Sequence, residues 1–174
     1  MDLPKIKSPL KNFSYSSPGY YFVTVCTHNK VKYLSEIKTK TTVGAIHESP
    51  ETTLTPQGEI VDAVIRSVPE RFGVKIDKYV IMPNHFHAII IVPDNDNTRA
   101  ILESPLRKRN IIDMVIGYIK MNSSKQIHLT MPNQKLWQRS FHDHVIRGEK
   151  DYLKIYEYIE NNPVRWESDC FYTK

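Results

Sequence analysis

Two histidines separated by one residue open the otherwise aliphatic segment NHFHAIIIV, which spans residues 84–92. Side chains alternate between the two faces of a β-strand, so His85 and His87 are expected on one face and Phe86 on the other. Two imidazoles held side by side have the geometry of ligands for a divalent metal ion. The same pattern also fits two histidines that are simply hydrogen-bonded at the end of a sheet.

A second candidate group is a tyrosine in the segment EKDYLKIYEYIENNP. On a helix of about 3.6 residues per turn, Tyr152 and Tyr156 fall with two isoleucines on one apolar stripe that is expected to face the core. Tyr158 lies on the flank of that stripe, so its hydroxyl is expected to be available. Asn162 is its neighbour one turn later. The helix therefore offers a phenol and a carboxamide on the same side.

A paired-histidine strand, an available tyrosine and a basic chain are the components of metal-assisted phosphodiester cleavage. Two imidazoles and a third polar ligand hold a divalent ion and leave open positions for phosphate oxygens. The phenol oxygen attacks phosphorus and forms a covalent phosphotyrosine, which conserves the bond energy for a later strand transfer. A phenol with a pKa of about 10 needs such help, and the sequence shows no obvious general base.

The charge balance favours a polyanionic partner without requiring one. The sequence has a formal net charge of +5 and a pI of about 9.1, an excess that also occurs in proteins that bind no nucleic acid. Arg107, Lys108 and Arg109 form a cluster, and Lys120 and Lys125 follow on the next segment. A solvated helix end explains this cluster as well as a phosphate track does.

The length of 174 residues fits one domain. The two cysteines form no disulfide framework, and no segment reaches the roughly 20 apolar residues that span a bilayer. The start MDLPKIKSPLKNF lacks the apolar region of a signal peptide. We expect a soluble cytoplasmic protein with a loosely ordered segment at residues 1–18 and a single domain at residues 19–174.

The elements that must position these groups follow the order β, α, β, β, α, β, with one extra helix at the end. The strands are predicted at residues 20–27, 74–83, 85–93 and 141–146, and the helices begin near residues 56, 105 and 149. The first helix is predicted to begin after Thr55 as N-cap, with Pro56 at the first helical position, and to stop at Gly73. Pro69 predicts an earlier end or a bend. Residues 28–56 are predicted to be a loop with a short extended piece at 42–46.

This order predicts an α+β fold of the split βαβ, ferredoxin-like type, in which two helices cover one face of a four-stranded antiparallel sheet. The strand that follows His87 is apolar on both faces, which predicts a central position in the sheet. The third helix is left to lie on or beside the open face, where the two histidines could meet it.

The sequence resembles the single-tyrosine HUH transposases, whose name denotes histidine, bulky hydrophobe and histidine. Among them it most closely resembles the REP-associated tyrosine transposases. The resemblance rests on YVIMPNHFHAIIIV (79–92), GYIKMNSSKQI (117–127) and LWQRSFHDHVIRGEKDYLKIYEYIENNPV (136–164). A histidine pair alone is a weak signal, but the pair followed by YIxxNP at this spacing is a strong one.

The resemblance implies roles for individual residues. His85 and His87 match the metal-binding pair, Tyr158 matches the nucleophile, and Asn162 matches the position of the third protein ligand for Mg²⁺ or Mn²⁺. It also implies cleavage of single-stranded DNA, often beside a hairpin, with a 5′-phosphotyrosine and a free 3′-hydroxyl as products. Insertion-sequence relatives exchange helices in a dimer and REP-associated members can work as monomers, so a monomer or a homodimer is expected.

Further basic residues are candidate DNA contacts, which we place at Arg107, Lys108, Arg109, Lys120, Lys125 and Arg165. A second H-x-H pair is formed by His142 and His144. We interpret this pair as structural because no partners for a second metal site are apparent, although His144 can line the site from the edge of the sheet.

Two other interpretations stay open. A catalytically silent single-stranded nucleic-acid-binding module would use the same sheet, but it predicts paired aromatic residues on the central strands, where this sequence has His85 and His87. A small metal-binding structural or regulatory protein would show a closed shell of four protein ligands with no room for phosphate.

Overall fold

A computed structural model describes residues 18–38, 51–95 and 110–173 of the chain. Residues 1–17 of the predicted loose segment 1–18 and the extended piece at 42–46 lie outside these ranges, and the assignment of residues 19–174 to one domain stays a prediction. In chain order, the helices and strands are β1 (Gly19–Cys26), β2 (Ser35–Lys38), β3 (Glu51–Leu54), α1 (Pro56–Phe72), β4 (Lys75–Met82), β5 (His85–Val92), α2 (Ile111–Ile127), β6 (His142–Ile146) and α3 (Glu149–Asn161).

Four of the strands form one sheet in the order β4, β5, β1, β6, and every neighbouring pair is antiparallel. This is the predicted α+β, ferredoxin-like arrangement, and β5 has the predicted central position. The short strands β2 and β3 form a separate antiparallel pair. The prediction that residues 28–56 form a loop with an extended piece only at 42–46 is therefore wrong at these two strands, which are only four residues long and largely polar.

The ends of α1 follow the predicted signals. The hydroxyl oxygen of Thr55 accepts a hydrogen bond from the backbone N–H of Gly58 at 3.0 Å, and Gly73 adopts the left-handed conformation with φ of 66°. The helix nevertheless continues past Pro69 to Phe72, so the early end predicted from the proline is not seen. Pro69 lies in the last turn, where its missing N–H removes one hydrogen bond, and its carbonyl accepts the closing bond from Gly73 at 2.9 Å.

The two faces of the sheet carry different helices. α1 and α2 cover the face of Tyr21, Val23 and Val25, and they contribute the main core through Val61, Val64, Ile65, Val68, Ile112, Val115, Ile116 and Ile119. α3 covers the opposite face, where Ile159 is fully buried against Ile89 and Ile146. The face of the sheet that α1 and α2 leave open is therefore occupied by α3, as the odd final helix predicted.

Polar contacts fix α3 to the edge strand β4. The Tyr152 hydroxyl donates to Asp77 at 2.5 Å, and the Lys78 ammonium lies 3.2 Å from the carboxylate of Glu160. These contacts tie both ends of α3 to one strand and thereby set its position along the sheet. Within the described ranges, no helix combines the length and apolar character needed to cross a bilayer.

Candidate active site

Strand alternation places the two histidines as predicted. His85 and His87 lie on the face that α3 covers, opposite Phe86, and both are 0% exposed. In the sheet, His87 is directly opposite Thr24 of β1, and His85 is opposite Cys26. The two imidazoles are therefore buried between the sheet and the last part of the chain.

Hydrogen bonds to the two Nδ1 atoms orient the imidazoles. Asn84 donates through Nδ2 to the carbonyls of Lys30 and Phe171, at 3.2 and 2.9 Å, and this orientation turns its Oδ1 toward His85. Because Asn84 Oδ1 can only accept, the 2.8 Å contact places a proton on Nδ1 of His85 and leaves its Nε2 unprotonated. His87 Nδ1 lies 2.8 Å from the Thr24 hydroxyl, which can donate to or accept from it.

Both imidazoles are held in the neutral form. Burial, assisted by the charge of Lys30, lowers the pKa of His85 to about 3. Burial also lowers the pKa of His87 well below its usual value, and the neighbouring His85 adds to this effect. The neutral imidazole is the form that binds a metal ion. The two Nε2 atoms face each other at 3.0 Å.

The hydroxyl of Tyr158 lies beside the histidines. It is 3.2 Å from Nε2 of His87, and it donates to Oδ2 of Asp169 at 3.1 Å. The ring of Phe22 stacks on His87 and meets the ring of Tyr158 edge-on. Burial raises the pKa of Tyr158, and the negative charge and hydrogen bond of Asp169 raise it further, so the free site keeps the phenol protonated.

Asn162 and Asp169 complete the cluster. Asn162 is 2% exposed and donates through Nδ2 to Oδ2 of Asp169 at 2.8 Å. Its Oδ1 is buried and has no hydrogen-bond partner among the described residues. The ligand atoms of His85, His87 and Asp169 all lie within 4.8 Å of one another.

This donor set fits a divalent metal ion. A buried carbonyl oxygen without a partner costs about 1–3 kcal/mol, a cost that a bound cation would offset. Two nitrogens that each lie about 2.1 Å from one ion, at a right angle, are about 3.0 Å apart. That spacing is the distance between Nε2 of His85 and Nε2 of His87. Two neutral imidazoles with amide and carboxylate oxygens make a mixed N/O set that suits first-row divalent ions.

The segment after α3, residues 162–173, folds back over the histidines. The ring of Phe171 lies 4.8 Å from that of His85, and the indole of Trp166 lies 5.9 Å from it. The Lys30 ammonium donates to the carbonyl of Cys170 at 3.3 Å. This segment brings Asp169 to the cluster and excludes water from one side of His85.

The basic residues predicted to contact DNA have different surroundings. Arg107, Lys108 and Arg109 lie outside the described residues. Lys125 and Arg165 are exposed. Lys120 donates its ammonium to three backbone carbonyls, those of Gln138, Arg139 and Ser140, at 2.9, 3.3 and 2.9 Å. The Lys120 ammonium therefore holds a loop in place, and a DNA contact by any of the six residues stays a prediction.

The second histidine pair is on the surface. His142 and His144 are both exposed, and Nε2 of His144 lies 2.8 Å from Oδ2 of Asp151 on α3. This contact ties the edge strand β6 to the first turn of α3, which agrees with the structural interpretation of the pair.

Sequence reasoning missed three residues of the cluster. Asp169 lies in irregular chain after α3, where no periodicity indicates which way a side chain points. Thr24 is a buried polar residue in an apolar strand, and its role becomes visible only once β1 is known to pair with β5. Asn84 lies between the predicted strands at residues 74–83 and 85–93, but nothing in the sequence indicates that its amide orients His85.

Most of the chain is similar to known proteins. The family described as "Transposase IS200 like" matches residues 17–162. An uncharacterized protein of Haemophilus influenzae is 33% identical over 172 residues, which is 94% of this chain and 90% of that one. The REP-associated tyrosine transposase of Escherichia coli is 29% identical over 112 residues, covering 64% of this chain and 58% of that protein.

A solved structure of a REP-associated tyrosine transposase bound to a REP hairpin has a similar fold. The TM-score is 0.58 at 21% identity, and the match covers 92% of this chain and 74% of that one. At this identity the likeness shows the fold alone. The family match spans both the histidine pair and Tyr158, and it confirms the resemblance to REP-associated tyrosine transposases. The chain therefore belongs to the IS200-like transposase family.

Proposed function

We propose that this transposase is a metal-dependent endonuclease and strand transferase that acts on single-stranded DNA with a hairpin. The observation that carries the proposal is the position of the Tyr158 hydroxyl, 3.2 Å from Nε2 of His87, in a cluster that also holds an unpartnered amide oxygen. The hairpin is proposed from the E. coli relative named a REP-associated tyrosine transposase and from the related structure bound to a REP hairpin.

His85, His87 and Asn162 would hold the metal ion, with Mg²⁺ or Mn²⁺ expected from the family resemblance. Asp169 is a further candidate ligand, since its carboxylate is within 4.8 Å of both imidazole nitrogens. Asp169 also accepts the hydrogen bond from Asn162 Nδ2, while Asn162 Oδ1 is buried without a partner among the described residues. A bound divalent ion would withdraw charge from a scissile phosphate and lower the pKa of the nearby phenol.

Tyr158 is the proposed nucleophile. Its phenolic oxygen would form a bond to phosphorus while the bond from phosphorus to the 3′ oxygen breaks, giving a 5′-phosphotyrosine. The phenolic proton leaves Tyr158, and a proton is taken up by the departing 3′ oxygen, so the step is balanced and yields a free 3′-hydroxyl. One acceptor for the phenolic proton is in place, Oδ2 of Asp169, to which the hydroxyl already donates at 3.1 Å. Nε2 of His87 would be occupied by the metal ion.

The test is covalent capture of DNA. The protein is incubated with Mn²⁺ and an oligonucleotide that carries a hairpin and a label on the 3′ side of the cleavage site, and the products are separated by denaturing electrophoresis. We expect a protein-linked labelled band that disappears in Tyr158→Phe, in His85→Ala and when a chelator replaces Mn²⁺.

Tyr156→Phe is the matched control, because Tyr156 lies two residues away on α3 and its hydroxyl contacts Lys78 instead of the histidines. This variant should keep the band. Equal adduct from the Tyr158→Phe protein would move the nucleophile elsewhere. Tight binding of the oligonucleotide by the wild-type protein without any adduct would favour the catalytically silent binding module.

A further inference from the structure

A concave site lies between the outer side of α2 and the segment at residues 134–139. It has a volume of about 390 Å³, and none of the residues that line it belongs to the cluster around Tyr158. We call it the α2 cavity. Its walls include Gly117 and Lys120 from α2, His128 just after the helix, and Lys135 and Arg139 from the facing segment. Ligand sites in proteins are commonly roughly 300–1,000 Å³, so the α2 cavity is large enough to take part of a ligand.

The charges around the α2 cavity are positive. No aspartate or glutamate is among the residues that line it. Lys135 and Arg139 are exposed, and the side chain of neither has an ionic or hydrogen-bond partner in the part of the chain that the structure describes. The Lys120 ammonium is bound to three carbonyls of the loop that carries Arg139, so it supports one wall. The two free cations at the rim are suited to phosphate oxygens.

Gly117 is the second feature that points to a ligand. It is an exposed glycine within α2, and a Cβ added there would meet nothing within 4 Å. Glycine is among the poorest helix formers, and here neither packing nor a left-handed backbone requires it. Close approach of a ligand to the backbone is one of the roles that glycine serves, and the open space at Gly117 leaves room for it.

The α2 cavity is connected to the histidine strand by backbone hydrogen bonds. Gln138 donates to the carbonyl of Cys26 at 3.0 Å, and Thr27 donates to the carbonyl of Asn84 at 2.8 Å. Trp137, in the cavity wall, forms a β-bridge with Thr27. Two strand spacings of about 4.8 Å place this wall about 10 Å from the backbone that carries His85. The cavity wall is therefore close in the sheet to the strand that carries His85, while α2 itself packs on the other face, so a DNA strand that contacts both sites would pass around the edge of the sheet.

We propose that the α2 cavity binds the sugar–phosphate backbone of the DNA substrate, with Lys135 and Arg139 on phosphate oxygens and Gly117 allowing the strand to approach α2. This proposal rests on the proposed function, because it assigns a second contact to the same substrate. The phosphate groups belong either to the single strand beside the hairpin or to the hairpin stem.

The test is equilibrium DNA binding, measured by fluorescence anisotropy in a chelator so that no cleavage occurs. Two labelled oligonucleotides are used, one with a hairpin and one unstructured. The double variant Lys135→Ala/Arg139→Ala should reduce the magnitude of the slope of log K against log salt concentration. The reduction is about 1.4 where the two contacts are to a single strand, at about 0.7 each, and about 1.8 where they are to the stem, at about 0.9 each. Arg71→Ala, which removes an exposed arginine in the last turn of α1, is the control and should bind as the wild type does.

Gly117→Ala separates binding from folding. The added methyl should raise Tm by about 2–4 °C, because alanine favours the helix, while it reduces DNA affinity about tenfold by blocking close approach. A loss confined to the hairpin oligonucleotide assigns the contact to the stem, and a loss with both assigns it to the single strand. Wild-type affinity and salt slope in both the double variant and Gly117→Ala would overturn the proposal while leaving covalent capture by Tyr158 unaffected. Absence of DNA binding by the wild-type protein would overturn the proposed function as well.

Discussion

The hydroxyl of Thr24 is expected to control metal binding at His87, and the substitution Thr24→Val tests this. Valine has nearly the shape of threonine, so the change removes one hydroxyl from a position that is 3% exposed. The lost contact is the 2.8 Å hydrogen bond to Nδ1 of His87, whose ring is 0% exposed. No water can replace this partner without rearrangement of the strands.

The expected effects follow from that burial. A buried ring nitrogen without a partner costs about 1–3 kcal/mol, and each kcal/mol lowers Tm by about 2–4 °C in a protein of this size. Loss of the group that orients a metal-binding histidine typically reduces metal affinity about 10–100-fold. Thr24→Val should therefore bind Mn²⁺ more weakly by that factor and unfold at a lower temperature.

Isothermal titration with Mn²⁺ and calorimetric unfolding measure the two effects separately. Ser35→Ala is the matched control, because it removes another buried hydroxyl, one that donates to the carbonyl of Ile81 at 3.0 Å. That variant should lose stability but keep its affinity for Mn²⁺. If Thr24→Val bound Mn²⁺ as tightly as the wild type, the reasoning about orientation of His87 would be refuted.

Three other predictions address the remaining groups. In the folded protein the pKa of His85 is about 3 and the pKa of His87 is also lowered, whereas an unfolded histidine has a pKa of about 6.5. Below about pH 6.5 the unfolded state therefore binds more protons than the folded state, until the folded histidines titrate as well. Stability should therefore fall as the pH drops below about 6.5, by up to roughly 1.4 kcal/mol per pH unit for each histidine, and the contribution of His85 should continue toward pH 3. In a His85→Gln/His87→Gln variant, the free energy of unfolding measured with urea should depend less on pH. Asp169→Asn removes a charge that raises the pKa of Tyr158, so NMR titration of ring-labelled tyrosine should show a lower pKa for Tyr158 than in the wild type. An unchanged pKa would contradict the contact between Asp169 and the Tyr158 hydroxyl. Lys120→Met removes the donor to three carbonyls, so the free energy of unfolding measured with urea should fall by about 1–3 kcal/mol while DNA affinity changes little. A large loss of DNA affinity in a variant that stays stable would instead support the DNA contact predicted for Lys120.

The sequence predicts the elements of the fold well where a simple periodicity governs them. Alternation along β5 places His85 and His87 on one face, and the apolar stripes of α1 and α2 identify the face that they cover. The position of α3 follows because one face of the sheet is left without a helix. These features depend on local spacing, which the sequence displays directly.

The details of the site depend on contacts between distant parts of the chain. Asp169 reaches the Tyr158 hydroxyl only because residues 162–173 fold back over the sheet. Thr24 and His87 meet through a strand register that their own segments do not specify. The charge of Lys120 suggests a phosphate contact in the sequence, but in the fold three carbonyls take its donors. No periodic pattern in the sequence indicates where a side chain in an irregular segment points, or which side-chain donors bind the carbonyls of a loop.

The central place of β1 has a consequence for the order of assembly. This first strand of the sheet lies between β5 and β6, and Phe22 pairs with His144 near the other end of the chain. Pairing across so much intervening chain is slow because a large loop must close before the contacts form. During synthesis from the N-terminus, the histidines are made long before α3. A nascent chain thus carries the two imidazoles without the tyrosine, and the proposed cleavage of DNA would require the sheet to have closed first.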